Sequence, residues 1–96
     1  MALNIRWTKQ ASNSFDKTAE YVKNEWGENS AKKLIRRLQK FLTLLINYPE
    51  IGKIEVEEKQ IRGFVLSRHN SILYRIKDNQ IIILKFFDNR QGPVKK

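Results

Sequence analysis

Three arginines and one histidine in the second half of the chain could act on the phosphodiester of a nucleic acid. They are Arg62, Arg68, His69 and Arg90. Cations can stabilise the charge that develops on phosphoryl oxygens in a transition state, so Arg62 and Arg90 are candidates for phosphate binding. Cleavage through a 2′-hydroxyl also needs an acid or base, for which His69, the only histidine, is the candidate. Each arginine could equally be a solvated strand-end charge or a contact to an acidic protein partner.

Other patterns that mark catalytic sites are missing from the sequence. It has no cysteine, no glycine-rich phosphate loop and no histidine–glutamate zinc pair, and its predicted strands carry no pair of carboxylates. Thiolate metal ligation is therefore excluded, and hydrolysis by two acids is disfavoured. We predict no cofactor, no metal and no small-molecule substrate. An enzymatic function is expected only if the cationic groups act on RNA.

The positive charge of the chain is concentrated towards its C-terminus. The net charge is +9, from 19 lysines and arginines against 10 acids. Between residues 59 and 96 nine cations stand against two acids, which gives that segment a net charge of +7. Such a field favours an anionic partner, either nucleic acid or an acidic protein segment. Cysteine-free composition suits a reducing compartment, and no apolar run approaches the ~20 residues of a membrane span, so we expect a cytoplasmic protein that contacts no membrane.

The N-terminal third predicts a strand followed by a helix. Apolar residues alternate with polar ones over residues 3–7, which is the period of a half-buried strand. Thr8 offers a helix N-cap. Apolar residues then recur at spacings of three and four over residues 8–26, which predicts an amphipathic helix. Gly27 ends that helix, because glycine tolerates the left-handed conformation at this position.

A second amphipathic helix is predicted for residues 29–47. Asn29 or Ser30 is the expected cap, and Pro49 stops the helix because proline disfavours helical geometry in the residue before it. The short link makes the two helices an antiparallel hairpin. The side of the second helix opposite its apolar face carries five cations and no acid: Lys32, Lys33, Arg36, Arg37 and Lys40.

The C-terminal half predicts three strands. Residues 50–59 are polar and acidic and indicate a loop. Strands are predicted for residues 60–66, 71–77 and 80–87, with Asp78 and Asn79 as a two-residue hairpin turn. The whole chain, residues 1–96, is therefore predicted to be a single α+β domain with the order β-α-α-β-β-β. Its helical hairpin packs on one face of a small, mainly antiparallel sheet.

The last strand is apolar on both faces, whereas the helices can cover only one. We therefore expect the second face to be a partner-binding surface, extended by cations of the second helix. The predicted partner-binding residues are Ile81, Ile83, Lys85, Phe87, Arg36 and Arg37.

Four stretches, taken in order over nearly the whole chain, resemble the RelE/ParE toxin superfamily. They are Tyr21 to Gly27, the helix exit from Leu45 to Gly52, the strand from Ser71 to Ile76, and the strand end from Phe86 to Arg90. The resemblance implies the toxin of a type II toxin–antitoxin module of the plasmid-stabilisation type, held inactive by a cognate antitoxin. In this superfamily the antitoxin typically lays a helix or an extended segment over the hairpin and the sheet.

The resemblance implies one of two targets. RelE-like members cleave mRNA on the ribosome with basic strand residues, an arginine entering the penultimate strand, an arginine after the last strand and often a C-terminal tyrosine or histidine, whereas ParE-like members poison DNA gyrase. Here Arg62 and Arg90 match the nuclease pattern. Phe64 and Ser71 stand where two further basic residues are expected, although Arg68 is close enough to substitute for the second.

No tyrosine or histidine follows Arg90, and both predicted helices are long. The resemblance therefore favours a ParE-like, non-enzymatic inhibitor of DNA gyrase. The alternatives are a RelE-like, metal-independent and ribosome-dependent mRNA endoribonuclease, and a binding module with a degenerate toxin fold.

Overall fold

The computed structural model describes residues 3–68 and 70–88, with Asp88 described by its backbone alone. Its elements are β1 (Asn4–Trp7), α1 (Lys9–Trp26), α2 (Glu28–Asn47), β2 (Lys53–Val56), β3 (Ile61–Val65), β4 (Asn70–Lys77) and β5 (Gln80–Asp88). The sheet order is β1-β5-β4-β3-β2, with β1 parallel to β5 and all other neighbours antiparallel. The predicted α+β fold, a helical hairpin on a mainly antiparallel sheet, is confirmed. Neither helix of the described part combines the length and the apolar content that crossing a bilayer requires.

Thr8 joins the first strand to the first helix, as the sequence predicts. Its Oγ1 accepts a hydrogen bond from the Ala11 N–H (3.0 Å) and donates one to the Ile83 carbonyl (2.9 Å). The first bond caps α1, because it satisfies a backbone N–H that has no partner inside the helix. The second bond ties the start of α1 to β5. Thr8 therefore fixes the point at which the helical hairpin leaves the sheet.

A single residue, Gly27, separates the two helices. Its φ of 92° is favourable only for glycine, and α2 begins immediately after it at Glu28. The prediction that Asn29 or Ser30 caps α2 is wrong, because Gly27 occupies the N-cap position and no side chain caps the helix there. The one-residue link holds the helices as a tight antiparallel pair.

The core lies between the hairpin and the sheet. Each helix buries one stripe of apolar residues with helical spacing, and Leu38 and Phe41 of α2 lie at its centre. An aromatic cluster closes the end nearest β1, where the Phe86 ring centroid lies 5.6 Å from that of Trp7 and 4.9 Å from that of Phe15. These contacts fix the hairpin on one face of the sheet and leave the cationic side of α2 exposed.

The strand β2 lies within residues 50–59, which the sequence predicts as a loop. Ile54 and Val56 alternate with Lys53 and Glu55, so the period of a strand is present, but half of the positions are charged. β2 forms one edge of the sheet, and its pairing with β3 is irregular between Ile54 and Val56. Charges and bulges are typical of edge strands, because they discourage pairing with other chains. The same charges made the segment resemble a loop.

A β-bulge interrupts the pairing of β4 with β5. Tyr74 pairs with Ile83, whereas the preceding residue Leu73 pairs with Lys85, so Leu84 is an extra residue on β5. An extra residue changes which side chains point to which face, since successive strand residues alternate. A strict alternation along β5 is therefore not a valid guide to its two faces.

The bulge corrects part of the predicted partner-binding surface. Ile81 and Ile83 are fully buried and lie on the same face as Phe86, which is 2% exposed, beneath the helices. The prediction that Ile81 and Ile83 form an open face is wrong, because the bulge places both in the core. Lys85 and Phe87 lie on the opposite face of the sheet, as predicted.

Candidate functional site

Arg62 and Tyr74 bind residues 49–52, the chain segment that follows α2. Arg62 Nη1 donates hydrogen bonds to the carbonyls of Glu50 (3.1 Å) and Gly52 (2.8 Å). The Tyr74 hydroxyl donates to the Pro49 carbonyl (2.8 Å) and accepts from the Gly52 N–H (2.8 Å). Four hydrogen bonds therefore fix this segment against β3 and β4, and we call the arrangement the clasp.

The clasp limits the chemistry that its two side chains can perform. Burial raises the pKa of Tyr74, although the hydrogen bond from Gly52 and the charge of Arg62 act in the opposite direction. A phenol with a raised pKa stays protonated at neutral pH and is a poor general base. The buried Nε of Arg62 has no hydrogen-bond partner among the described residues. Phosphate binding by Arg62 stays a prediction, while its Nη1 has a structural role.

The outward side of α2 carries an exposed stripe. Lys33, Arg37, Lys40, Leu44 and Tyr48 follow one another at spacings of four, three, four and four, so they lie on one side of the helix and its C-cap. The first three are cations, whereas Leu44 and Tyr48 are 37% and 62% exposed. Neighbouring exposed apolar groups of this kind are typical of a surface that a partner covers.

The stripe forms one wall of a groove. Residues from β3 and the segment between β3 and β4 form the other wall along the first part of the groove, and residues 49–51 line its last part. Three depressions of about 240, 210 and 590 Å³ follow one another from the hairpin tip to the end of α2. Arg37 lines both the first and the second, and Leu44 lines both the second and the third, so the depressions adjoin one another. This α2 groove is defined by Lys33, Arg37, Lys40, Leu44 and Tyr48 on α2 and by Phe64, Leu66 and Arg68 opposite.

The electrostatic character of the groove changes along its length. Lys33, Arg37 and Arg68 line the depression at the hairpin tip, and none of the described residues that line the first two depressions is acidic. At the other end the charged lining residue is Glu50. Arg37 Nη1 reaches across the groove and donates a hydrogen bond to the Leu66 carbonyl at 3.4 Å. The groove thus carries three cations beside the exposed Trp26 at one end, and no cation among the described lining residues at the other.

The groove brings together two residues that the sequence assigned to different roles. Arg37, predicted to bind a partner, and Arg68, predicted as catalytic, line the same depression. Arg36 is exposed on α2 but does not line the groove. The sequence did not single out Leu44 and Tyr48. Their spacing in the sequence could have identified them, because both continue the cationic stripe of α2 and not its buried stripe.

The four candidate catalytic residues do not form one described centre. Arg62 lies in the clasp and Arg68 lies beyond the opposite end of β3, so these two side chains do not converge. His69 and Arg90 lie outside the described residues, and their roles stay predictions.

The other predicted partner-binding residues lie on the sheet face away from the helices. Lys85 and Phe87 pair across the strands with Leu73 and Ser71. Phe87 is 7% exposed and Lys85 is only partly exposed, so these two side chains offer little open area to a partner. Their partner-binding role stays a prediction.

The fold is similar to that of proteins from toxin–antitoxin systems. A chromosomal ParDE system from P. aeruginosa matches with a TM-score of 0.73 and 22% identity over 91% of this chain and 96% of that chain. The E. coli DinJ–YafQ toxin–antitoxin complex matches with a TM-score of 0.64 and 14% identity over 96% and 98%. A YoeB dimer from Staphylococcus aureus matches with a TM-score of 0.59 and 19% identity over 88% of this chain and 94% of that chain. Comparison with curated protein sequences gives no significant match.

At such identities the structural likeness establishes the fold alone. The family itself follows from the sequence. The model of the ParE toxin of the type II toxin–antitoxin system, parDE, matches residues 5–93. The chain therefore belongs to the ParE toxin family and is a toxin of a type II toxin–antitoxin system.

Proposed function

We propose that a cognate antitoxin neutralises this toxin by covering the α2 groove, and that the released toxin inhibits DNA gyrase. Membership of a toxin–antitoxin family implies a cognate antitoxin. The exposed stripe from Lys33 to Tyr48 carries the proposal. It places apolar groups beside a row of cations, and an acidic, amphipathic segment would complement both.

Two features of β3 favour gyrase over the ribosome as the target. Arg62 Nη1 binds the carbonyls of Glu50 and Gly52, and Phe64 stacks on Phe41 with ring centroids 4.4 Å apart. The clasp therefore occupies Nη1 of Arg62, and Phe64 carries no charge with which to hold the phosphates of mRNA. The strand therefore lacks the row of basic residues that the nuclease pattern requires.

Ribosome-dependent mRNA cleavage is the second candidate function. It is favoured by the exposure of Arg68 on the β3–β4 turn, next in sequence to His69. In that mechanism Arg68 and Arg90 would stabilise the charge on the phosphodiester, and His69 would transfer the proton. Both candidate targets act in the cytoplasm, so either function implies a cytoplasmic location.

Induced expression with and without the neighbouring reading frame, followed by two assays on purified toxin, tests the proposal. We expect growth arrest that the neighbouring gene relieves, loss of gyrase supercoiling, and intact mRNA in a ribosomal translation reaction. Ribosome-dependent cleavage that disappears in the Arg90→Ala variant would refute gyrase as the target. A folded toxin whose growth arrest persists with the neighbouring protein present would refute neutralisation by that protein.

A further inference from the structure

We infer that the α2 groove fixes the direction of the antitoxin segment that fills it, with carboxylates at the hairpin tip and apolar side chains at the end of α2. The inference rests on the proposed function, because it takes the antitoxin to be the occupant. We call the two ends the hairpin end and the loop end. The hairpin end comprises Lys33, Arg37 and Arg68, and the loop end comprises Leu44, Tyr48 and Ile51.

The hairpin end selects carboxylates. Its three cations line one depression, and no acid lines that depression among the described residues. Carboxylates bound there form charge-assisted hydrogen bonds with guanidinium and ammonium groups. A segment bound in the reverse direction would instead cover Lys33, Arg37 and Arg68 with apolar groups. The charges would then lose their hydrogen bonds to water and gain none from the segment. The hairpin end therefore opposes reversed binding as well as favouring the proposed direction.

The loop end selects apolar side chains and rejects acids. Leu44, Tyr48 and Ile51 are 37%, 62% and 40% exposed, so a partner can remove substantial apolar area from water there. Glu50 lines the same depression. In the reversed direction the carboxylates of the segment would lie beside Glu50, and like charges repel. Both ends of the groove therefore favour the same direction.

The length of the groove limits the size of the segment. Lys33 and Tyr48 are fifteen positions apart on α2 and its cap, which corresponds to about 22 Å at ~1.5 Å per helical residue. A helix of about four turns, with its acids in one half and apolar residues at i, i+3 and i+4 in the other, matches this length. A second copy of the toxin is a poorer occupant, because each copy has a net charge of +9 and a symmetric contact would bring equal charges together.

Two matched pairs of substitutions test the chemistry of the ends, with the protein encoded beside the toxin gene as the probe. We expect Arg37→Glu to lower its affinity about tenfold at low salt and to reduce the salt dependence. Leu44→Ser should lower the affinity about tenfold at every salt concentration. The controls Arg36→Glu and Ile35→Ser change exposed residues of α2 that do not line the groove, and each should change the affinity less than threefold.

Site-directed spin labels test the direction itself. The chain contains no cysteine, so one can be introduced at Ser30, which lines the hairpin depression, or at Asn47, which lines the loop depression. We expect the label at residue 30 to broaden NMR signals from the acidic half of the bound antitoxin segment. The label at residue 47 should broaden signals from its apolar half. The opposite pattern would overturn the inferred direction.

The remaining outcomes separate failure of the inference from failure of the proposed function. If the neighbouring protein does not bind folded toxin, neutralisation by that protein fails. If it binds and Arg36→Glu weakens binding as much as Arg37→Glu, neutralisation stands and the directional groove fails. If sedimentation shows a toxin dimer that Leu44→Ser dissociates, a second copy occupies the groove and the inference is wrong.

Discussion

Replacing Tyr74 with phenylalanine removes one hydroxyl from the clasp and leaves the ring in the core. That hydroxyl donates to the Pro49 carbonyl and accepts from the Gly52 N–H, both at 2.8 Å. Each buried hydrogen bond contributes about 1 kcal/mol net, and a buried donor left without its partner costs about 1–3 kcal/mol. Because Gly52 is buried, we expect Tyr74→Phe to lower the free energy of unfolding by about 2–3 kcal/mol.

Urea unfolding followed by circular dichroism measures this change directly. Tyr48→Phe is the matched control, because Tyr48 is 62% exposed, and it should change the free energy of unfolding by less than about 0.5 kcal/mol. The reasoning is refuted if Tyr74→Phe falls within that same range, or if the two variants are equally destabilised. Either result would mean that the clasp does not stabilise the folded state.

The pH dependence gives a second test on the same pair. Burial raises the pKa of Tyr74 above its ordinary value of 10.0, so the unfolded chain loses this proton at a lower pH than the folded chain. The contribution to stability is fully present below pH 10 and is lost as the pH rises through the folded pKa. The stability advantage of the wild type over Tyr74→Phe should therefore shrink above pH 10, by at most about 1.4 kcal/mol per pH unit. A constant advantage would contradict burial as the cause.

Two further substitutions test the core and the helix cap. Leu38→Asp places an unpaired charge in the core and should prevent cooperative folding. Its control, Leu44→Asp, changes an exposed position and should leave the circular dichroism spectrum unchanged. A folded Leu38→Asp protein would mean that the core is misplaced. Thr8→Val removes the cap and the hydroxyl's bonds to the Ile83 and Leu84 carbonyls, and it should lower the free energy of unfolding by about 1–2 kcal/mol. Its control is Thr43→Val, which loses only a bond inside α2. Equal effects of the two substitutions in urea unfolding would mean that the Thr8 hydroxyl does not stabilise the fold more than an ordinary helix hydroxyl does.

The parts of the fold that local chemistry determines could be predicted from the sequence. Thr8 and Gly27 are residue types that begin and end helices, and the structure uses both in this way. Asp78 and Asn79 adopt φ values of 52° and 60° in the predicted hairpin turn, since both types tolerate that conformation. These outcomes depend on one or two neighbouring residues, which explains why a single sequence suffices.

The faces of β5 depend on non-local pairing and could not be predicted in the same way. Leu84 becomes an extra residue only because Tyr74 and Leu73 pair on either side of it. Its own identity gives no signal, as leucine is common at regular strand positions. One extra residue was enough to exchange the predicted faces of Ile81 and Ile83. On α2, by contrast, regular helical spacing places Leu44 and Tyr48 on one exposed side.

The position of Arg62 affects how experiments on this toxin can be interpreted. Its bonds hold the carbonyls of Glu50 and Gly52, and Glu50 also lines the loop end of the α2 groove. Substituting Arg62 would therefore move a wall of the candidate partner surface and destabilise the clasp. Loss of toxicity or of neutralisation in such a variant is consistent with either cause and is not evidence for phosphate binding. Arg68 is the better test of nuclease chemistry, because it is exposed and lies outside the clasp.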